Sequence, residues 1–133
     1  MSPLLRSVLC VAALSTSACI VETYPVAASS LGTVEIDWTV NGRIDPNLCS
    51  QSGATTLAVD VFDSRGYAVG SYDAPCGAFA TSIDLYAGSY SADARLFDAG
   101  GRVRSTAVSI GSFRIWGGET SIVPIDFPPS SFY

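Results

Sequence analysis

The sequence predicts an all-β fold: an antiparallel β-sandwich of about seven short strands behind a cleaved N-terminal signal peptide. Three observations predict it. From Leu31 onward apolar residues recur with period two, the period of a half-buried strand. Turn signals punctuate that pattern, among them Asn41-Gly42 and the tetrads Asp63-Ser64-Arg65-Gly66 and Asp98-Ala99-Gly100-Gly101. No segment after Leu31 repeats apolar residues at helical spacing.

The elements follow in order. In 33–41, Val34, Ile36, Trp38 and Val40 share one face, while Glu35, Asp37, Thr39 and Asn41 share the other. A second strand is expected over 57–63, and the first Asp-x-x-Gly tetrad turns it into a third over 67–73. The fourth covers 79–85, and Tyr86-Ala87-Gly88 turns into the fifth over 89–97. The second tetrad leads to a sixth over 102–110. The last runs over 120–127, where Pro124 marks an edge strand or a bulge, and Pro128-Pro129 stops it. Asp37, Asp60, Asp84 and Asp93 fall between apolar neighbours and read as the solvated face.

A chain of 133 residues has room for one domain and a short extension. The expected organisation is a signal peptide over 1–18, a tether over 19–30, the sandwich over 31–129 and a C-terminal tail over 130–133. Pro25 discourages a helix in the tether. The leader holds Arg6, then the apolar run Val8–Leu14, then small residues through Ala18, the three-part layout of a secretory signal. The apolar run is far short of the ~20 residues that span a bilayer.

Two readings compete at Cys19. One is ordinary signal cleavage after Ala18. The other rests on Leu14-Ser15-Thr16-Ser17-Ala18-Cys19, which resembles the lipobox of bacterial lipoproteins. It departs from that pattern at Thr16, where the family usually has leucine. The resemblance implies that Cys19 becomes the first mature residue and carries acyl chains such as palmitate. Because Ile20 rather than aspartate follows, it also implies outer-membrane delivery. The cysteine count favours the lipoprotein reading. Cys10 is discarded with the leader, and an acylated Cys19 leaves Cys49 and Cys76 to pair. Without acylation, an exported, secreted chain would carry an odd thiol.

Cys49 and Cys76 both lie where strands end, so a bridge between them would tie two loops at one end of the sandwich. Closing such a loop contributes roughly 3–4 kcal/mol by chain entropy. A redox-active pair would call for a Cys-x-x-Cys arrangement, which these two do not form.

The sequence excludes much chemistry. It has no histidine, and all seven basic residues are arginines. Ser-His-Asp and Cys-His sites, Schiff bases and serine–lysine dyads are therefore ruled out. The net charge of −5 argues against nucleic acid as a partner. Phosphate loops and dinucleotide fingerprints are missing, so no cofactor is expected. Asp60 and Asp63 could share an ion, yet no calcium-loop pattern surrounds them, and no metal site or catalytic residue is assigned.

Leu85-Tyr86-Ala87-Gly88-Ser89-Tyr90-Ser91-Ala92 resembles the leucine–turn–glycine–small–tyrosine strand of carboxypeptidase-regulatory-like and transthyretin-like sandwiches. Trp38, Cys49, Cys76, Gly88-Ser89-Tyr90 and the ending Asp126–Tyr133 make nearly the whole mature chain similar to uncharacterised lipoproteins of myxobacteria and their relatives. The resemblance implies a fold and a compartment but brings no activity. Transthyretin-like hydrolases rely on histidine, so that activity is excluded here.

The segment Gly111–Gly118 interrupts the strand pattern and sets Phe113 and Trp116 around Arg114, close to glycines. If these rings are exposed together, they form a surface recognition loop. The functional expectation is a lipid-anchored protein of the bacterial envelope, a non-catalytic structural or adhesive module. Its expected partners are the membrane, through the anchor, and an envelope protein or glycan. A subunit or chaperone-like role in an envelope assembly is the first alternative. A small carboxylate-dependent hydrolase is the second.

Overall fold

In the computed structural model, the described residues are 30–133. The signal peptide over 1–18, Cys19 and the tether up to residue 29 lie outside them. Seven strands form: β1 (Leu31–Val40), β2 (Thr56–Asp63), β3 (Ala68–Pro75), β4 (Ala80–Tyr86), β5 (Gly88–Phe97), β6 (Val108–Ile115) and β7 (Thr120–Phe127). They lie in two sheets, β4-β1-β7 and β3-β2-β5-β6. The all-β sandwich is therefore the fold. The inward rows of both sheets make its core: Val34, Ile36, Trp38 and Val40 from β1, Leu57, Val59 and Val61 from β2, Ala92, Ala94 and Leu96 from β5.

One pairing departs from the antiparallel expectation. β1 pairs antiparallel with β4 but parallel with β7. The cause is parity. Each connection reverses the chain, so the first and seventh strands run the same way, and the sandwich places them side by side. Every pairing in the other sheet joins an odd to an even strand and is antiparallel. Pro124 lies on β7, the edge of its sheet, where its missing N–H is tolerated.

The connections sort into two ends. At the proximal end, where the chain enters β1, lie the β2–β3, β4–β5 and β6–β7 turns. The distal end holds the longer β1–β2, β3–β4 and β5–β6 connections and the C-terminus.

At the distal end, Asn41 and Gly42 both have positive φ, at 54° and 73°, and Val40 and Arg43 exchange two backbone hydrogen bonds around them. This is the two-residue hairpin that Asn-Gly favours. A helix of about two turns follows, α1 (Pro46–Ser52), where the sequence reading has only a loop. Asp45 caps it by accepting from the Asn47 N–H, Pro46 starts it, and Gly53 ends it at φ 76°. It is too short to show helical periodicity.

The sixth strand is displaced from the expected 102–110 to Val108–Ile115. After the Asp98 turn, only a Phe97–Val103 bridge continues the pairing. Fully buried Ser105 then accepts the Leu96 N–H with its Oγ, and the Thr106 N–H donates to the Ser131 carbonyl. The segment is thus drawn toward the C-terminus before β6 begins. Residues 130–133, expected as a tail, are docked here: the Tyr133 N–H donates to the Arg104 carbonyl, and Ser131 is buried. Gly111, at φ 78°, takes up the bulge opposite the Ala92–Asp93 step of β5.

Candidate functional site

The two body cysteines form a disulfide, Cys49–Cys76, with both residues buried. It joins α1 to a short 3-10 turn at 76–78 between β3 and β4. Trp38 fastens that turn to β1: its indole N–H donates to the Cys76 carbonyl at 2.9 Å, and its backbone N–H donates to the Phe79 carbonyl at 3.0 Å. Phe79 holds a positive φ of 58°, unusual for an aromatic residue, and its buried ring packs tilted against Trp38 at 6.3 Å.

This fastening builds one wall of a trough on the outer face of the β4-β1-β7 sheet, with a volume of about 690 Å³. Glu35, Asp37 and Thr39 of β1 run along it, as the period-two reading of their face requires. At Asp37 the register partners are Ala80 on β4 and Pro124 on β7, two small apolar side chains that flank the carboxylate. Ile44 of the distal hairpin and Asp126 of β7 close one end. Among the described residues no arginine lines the trough.

The three carboxylates differ in their commitments. Asp126 accepts the Thr39 hydroxyl at 2.7 Å and the Gly42 N–H at 2.8 Å, so it braces the hairpin. Asp37 Oδ1 is buried and has no hydrogen-bond partner among the described residues. A carboxylate oxygen in that state lacks the donor that buried polar groups normally find. Sequence reading placed Asp37 on the solvated face but missed the trough. Its depth comes from residues 78–80 and 124, which are remote in the chain and adjacent only through the sheet order.

The expected recognition trio is divided between two faces. Phe113 alternates with buried Ile115 on the inner side of β6, where it stacks on Tyr90 at 6.1 Å at the margin of the core. Burial, with the nearby Tyr72 and Asp63, pushes the Tyr90 phenol up from its ordinary range. Its hydroxyl donates to the Tyr86 carbonyl at 2.7 Å. Arg114 and Trp116 are exposed instead. The guanidinium lies 4.7 Å from the indole centroid and donates to Ser89 Oγ at 3.0 Å. Phe113 therefore does not stand beside Trp116, because strand alternation turns it inward. Among the described residues no three Cys, Asp or Glu gather as a metal site, and no helix is long and apolar enough to cross a membrane.

The fold and this site define a disulfide-stapled β-sandwich module with an acidic trough on one sheet. No protein-family model matches the chain, and no curated protein matches it. Among solved structures it is similar to part of a leucine-rich repeat protein from Bacteroides thetaiotaomicron, with a TM-score of 0.53 and 17% identity over 76% of this chain and 12% of that one. A second likeness is to putative polysaccharide binding proteins of the same bacterium, with a TM-score of 0.45 and 8% identity over 70% of this chain and 46% of that one. The first likeness is one of fold. The chain spans less than half the length of either protein.

Proposed function

We propose that this is a lipid-anchored protein of the bacterial envelope, attached to the outer membrane through acylated Cys19, whose sandwich is a non-catalytic binding module. The signal layout, the lipobox-like Leu14–Cys19 and the even cysteine count that acylation leaves support the anchor. The myxobacterial lipoprotein resemblance supports the compartment. The observation that carries the binding role is the acidic trough itself, which no arginine among the described residues lines and where Asp37 has one oxygen without a partner. Its partner is an extended segment of an envelope protein that places a lysine or arginine between apolar side chains. The cation pairs with Asp37 and Glu35, and the apolar flanks lie over Ala80, Pro124 and Ile44. A glycan fits less well, because sugar stacking needs an exposed ring, and Trp38 and Phe79 are buried.

The carboxylates also speak for binding over hydrolysis. With Asp126 engaged by the hairpin, Glu35 and Asp37 remain as outward neighbours on one strand rather than as groups facing each other across a cleft. A subunit role in an assembly would use the same trough and would show as a stoichiometric partner on co-purification.

The test has two parts. Intact mass of the membrane-extracted protein should equal the chain from Cys19 plus acyl groups, and an unmodified chain would overturn the anchor. Titration of the full chain with an extended Lys/Val peptide should perturb the resonances of Asp37, Glu35 and Ile44. Asp37→Asn should weaken that binding about ten- to a hundredfold, the size of a charged hydrogen bond. Equal affinity in the variant would overturn the trough as the site.

A further inference from the structure

The proximal end of the sandwich carries a second surface. Leu31, Tyr67, Tyr86 and Trp116 are all large, apolar and about half or more exposed: 52%, 66%, 60% and 52%. They come from four separate places in the chain, and the topology gathers them. Leu31 opens β1 opposite Tyr86 at the close of β4. Trp116 follows β6, and the Gly118 N–H donates to the Leu31 carbonyl at 2.8 Å. Tyr67 closes the β2–β3 turn, whose Asp63 pairs with Tyr90 two residues into β5. Two cations join them, Arg65 in that turn and Arg114 stacked on Trp116.

Exposed tryptophan and tyrosine with arginine among them are the composition of a membrane–water interface, where the rings sit at headgroup depth and the guanidinium reaches phosphate. The chain supplies the reason for a bilayer as the occupant. Leu31 is where the sandwich joins the segment leading back to Cys19, and twelve residues can reach at most about 40 Å. An anchor at Cys19 therefore keeps this end within reach of the lipid.

We infer that the proximal end, through Leu31, Tyr67, Tyr86 and Trp116 with Arg65 and Arg114, seats on the lipid headgroups and turns the trough's distal half away from the membrane. The inference rests on the reading of Cys19 as the anchor. Asp63 and Glu119 at the same end offset the two arginines, so the seating is aromatic rather than electrostatic and depends only weakly on salt.

Fluorescence can read this, because Trp38 is 1% exposed and Trp116 is 52% exposed. The acylated protein is reconstituted into phosphatidylcholine vesicles with and without brominated acyl chains, and the Trp116→Phe variant supplies the Trp38 background. Trp116 emission should shift to shorter wavelength and be quenched by brominated lipid, with aqueous iodide losing access to it. Anchored protein whose Trp116 stays open to iodide and untouched by brominated lipid overturns the seating while leaving the anchor standing. If the mass shows no acyl chains, the anchor reading fails separately. The chain from Cys19 is then coupled by its free thiol to a maleimide headgroup and read in the same way, so the surface is judged either way. Tyr86→Ser should restore iodide access to Trp116 if seating is cooperative across the patch, and no change would count against it.

Discussion

The two ends of this sandwich are built by different means. The distal end is held by covalent and polar ties: the Cys49–Cys76 bridge, the Asp45 cap, the Trp38 indole on the Cys76 carbonyl, and Asp126 accepting from Thr39 and Gly42. The proximal end is held by close backbone approach. A Cβ added at Gly32 would stand 2.2 Å from the Trp116 carbonyl oxygen, and the link to β7 closes over it with the Thr33 N–H on the Glu119 carbonyl. The difference matches the proposed roles. A trough that must stay open needs walls fixed from behind, whereas a surface that seats on lipid needs short turns and exposed rings.

The largest expected effect breaks the distal end. The double variant Cys49→Ala/Cys76→Ala should lose about 3–4 kcal/mol of unfolding free energy, the chain-entropy share of such a bridge. Because α1 and the 76–78 turn would then be tied only by weaker contacts, amide exchange should quicken there and at residues 78–80 before it quickens at the proximal turns. A stability loss with exchange spread evenly over both ends would show that the disulfide does not act locally on the trough wall.

The proximal end should break at one atom. Gly32→Ala puts a methyl group into the Trp116 carbonyl and the Ile115 side chain, and backbone cannot swing aside as a flexible side chain can. The expected cost is about 1–3 kcal/mol, the usual range for overpacking. Exchange should quicken at Gly118 and Thr33, whose N–H groups close this end, with the distal helix unaffected. A variant as stable as the parent would mean the β6–β7 link can shift without loss.

How far this could be read in advance differs by kind of feature. Alternation in 33–41 named the inward row of β1 correctly, and the Asn41-Gly42 and Asp-x-x-Gly signals marked real turns, because those preferences are local. The helix α1 was local as well. Asp45, Pro46 and Gly53 are its cap, start and stop, a signal present but unread because seven residues show no period. What was not legible depends on neighbours distant in the chain. The parallel β1–β7 pair follows from sheet order, and the late start of β6 follows from Ser105 meeting Leu96 and residue 106 meeting 131. The trough is of this second kind. No property of Ala80 or Pro124 alone reveals that both flank Asp37.

The smallest effect compares the ends through one shared device. Asp63 and Asp98 make the same turn. Each Oδ1 accepts the N–H two residues on (Arg65, Gly100) and four residues on (Tyr67, Arg102), and the glycines at 66 and 101 take φ of 87° and 81°. They differ at the fifth residue. Tyr67 ends the proximal turn, while Arg102 ends the distal one and brings its Nε within 3.4 Å of Asp98 Oδ2. The backbone N–H of Arg102, then that of Gly100 and the Arg102 charge, hold the Asp98 carboxyl below its ordinary value. A lowered folded value means that the ionised form is favoured by folding. Its contribution is whole above the ordinary carboxylate range near pH 4 and is lost as the pH falls through the lowered value. Asp98→Asn should therefore flatten the stability curve below about pH 4 and, by removing the exposed ion pair, reduce its salt dependence. Asp63→Asn should leave the salt dependence unchanged, since no cation stands at the fifth position of that turn. Equal salt responses in the two variants would mean that the Arg102 pair adds nothing to a turn that backbone geometry already secures.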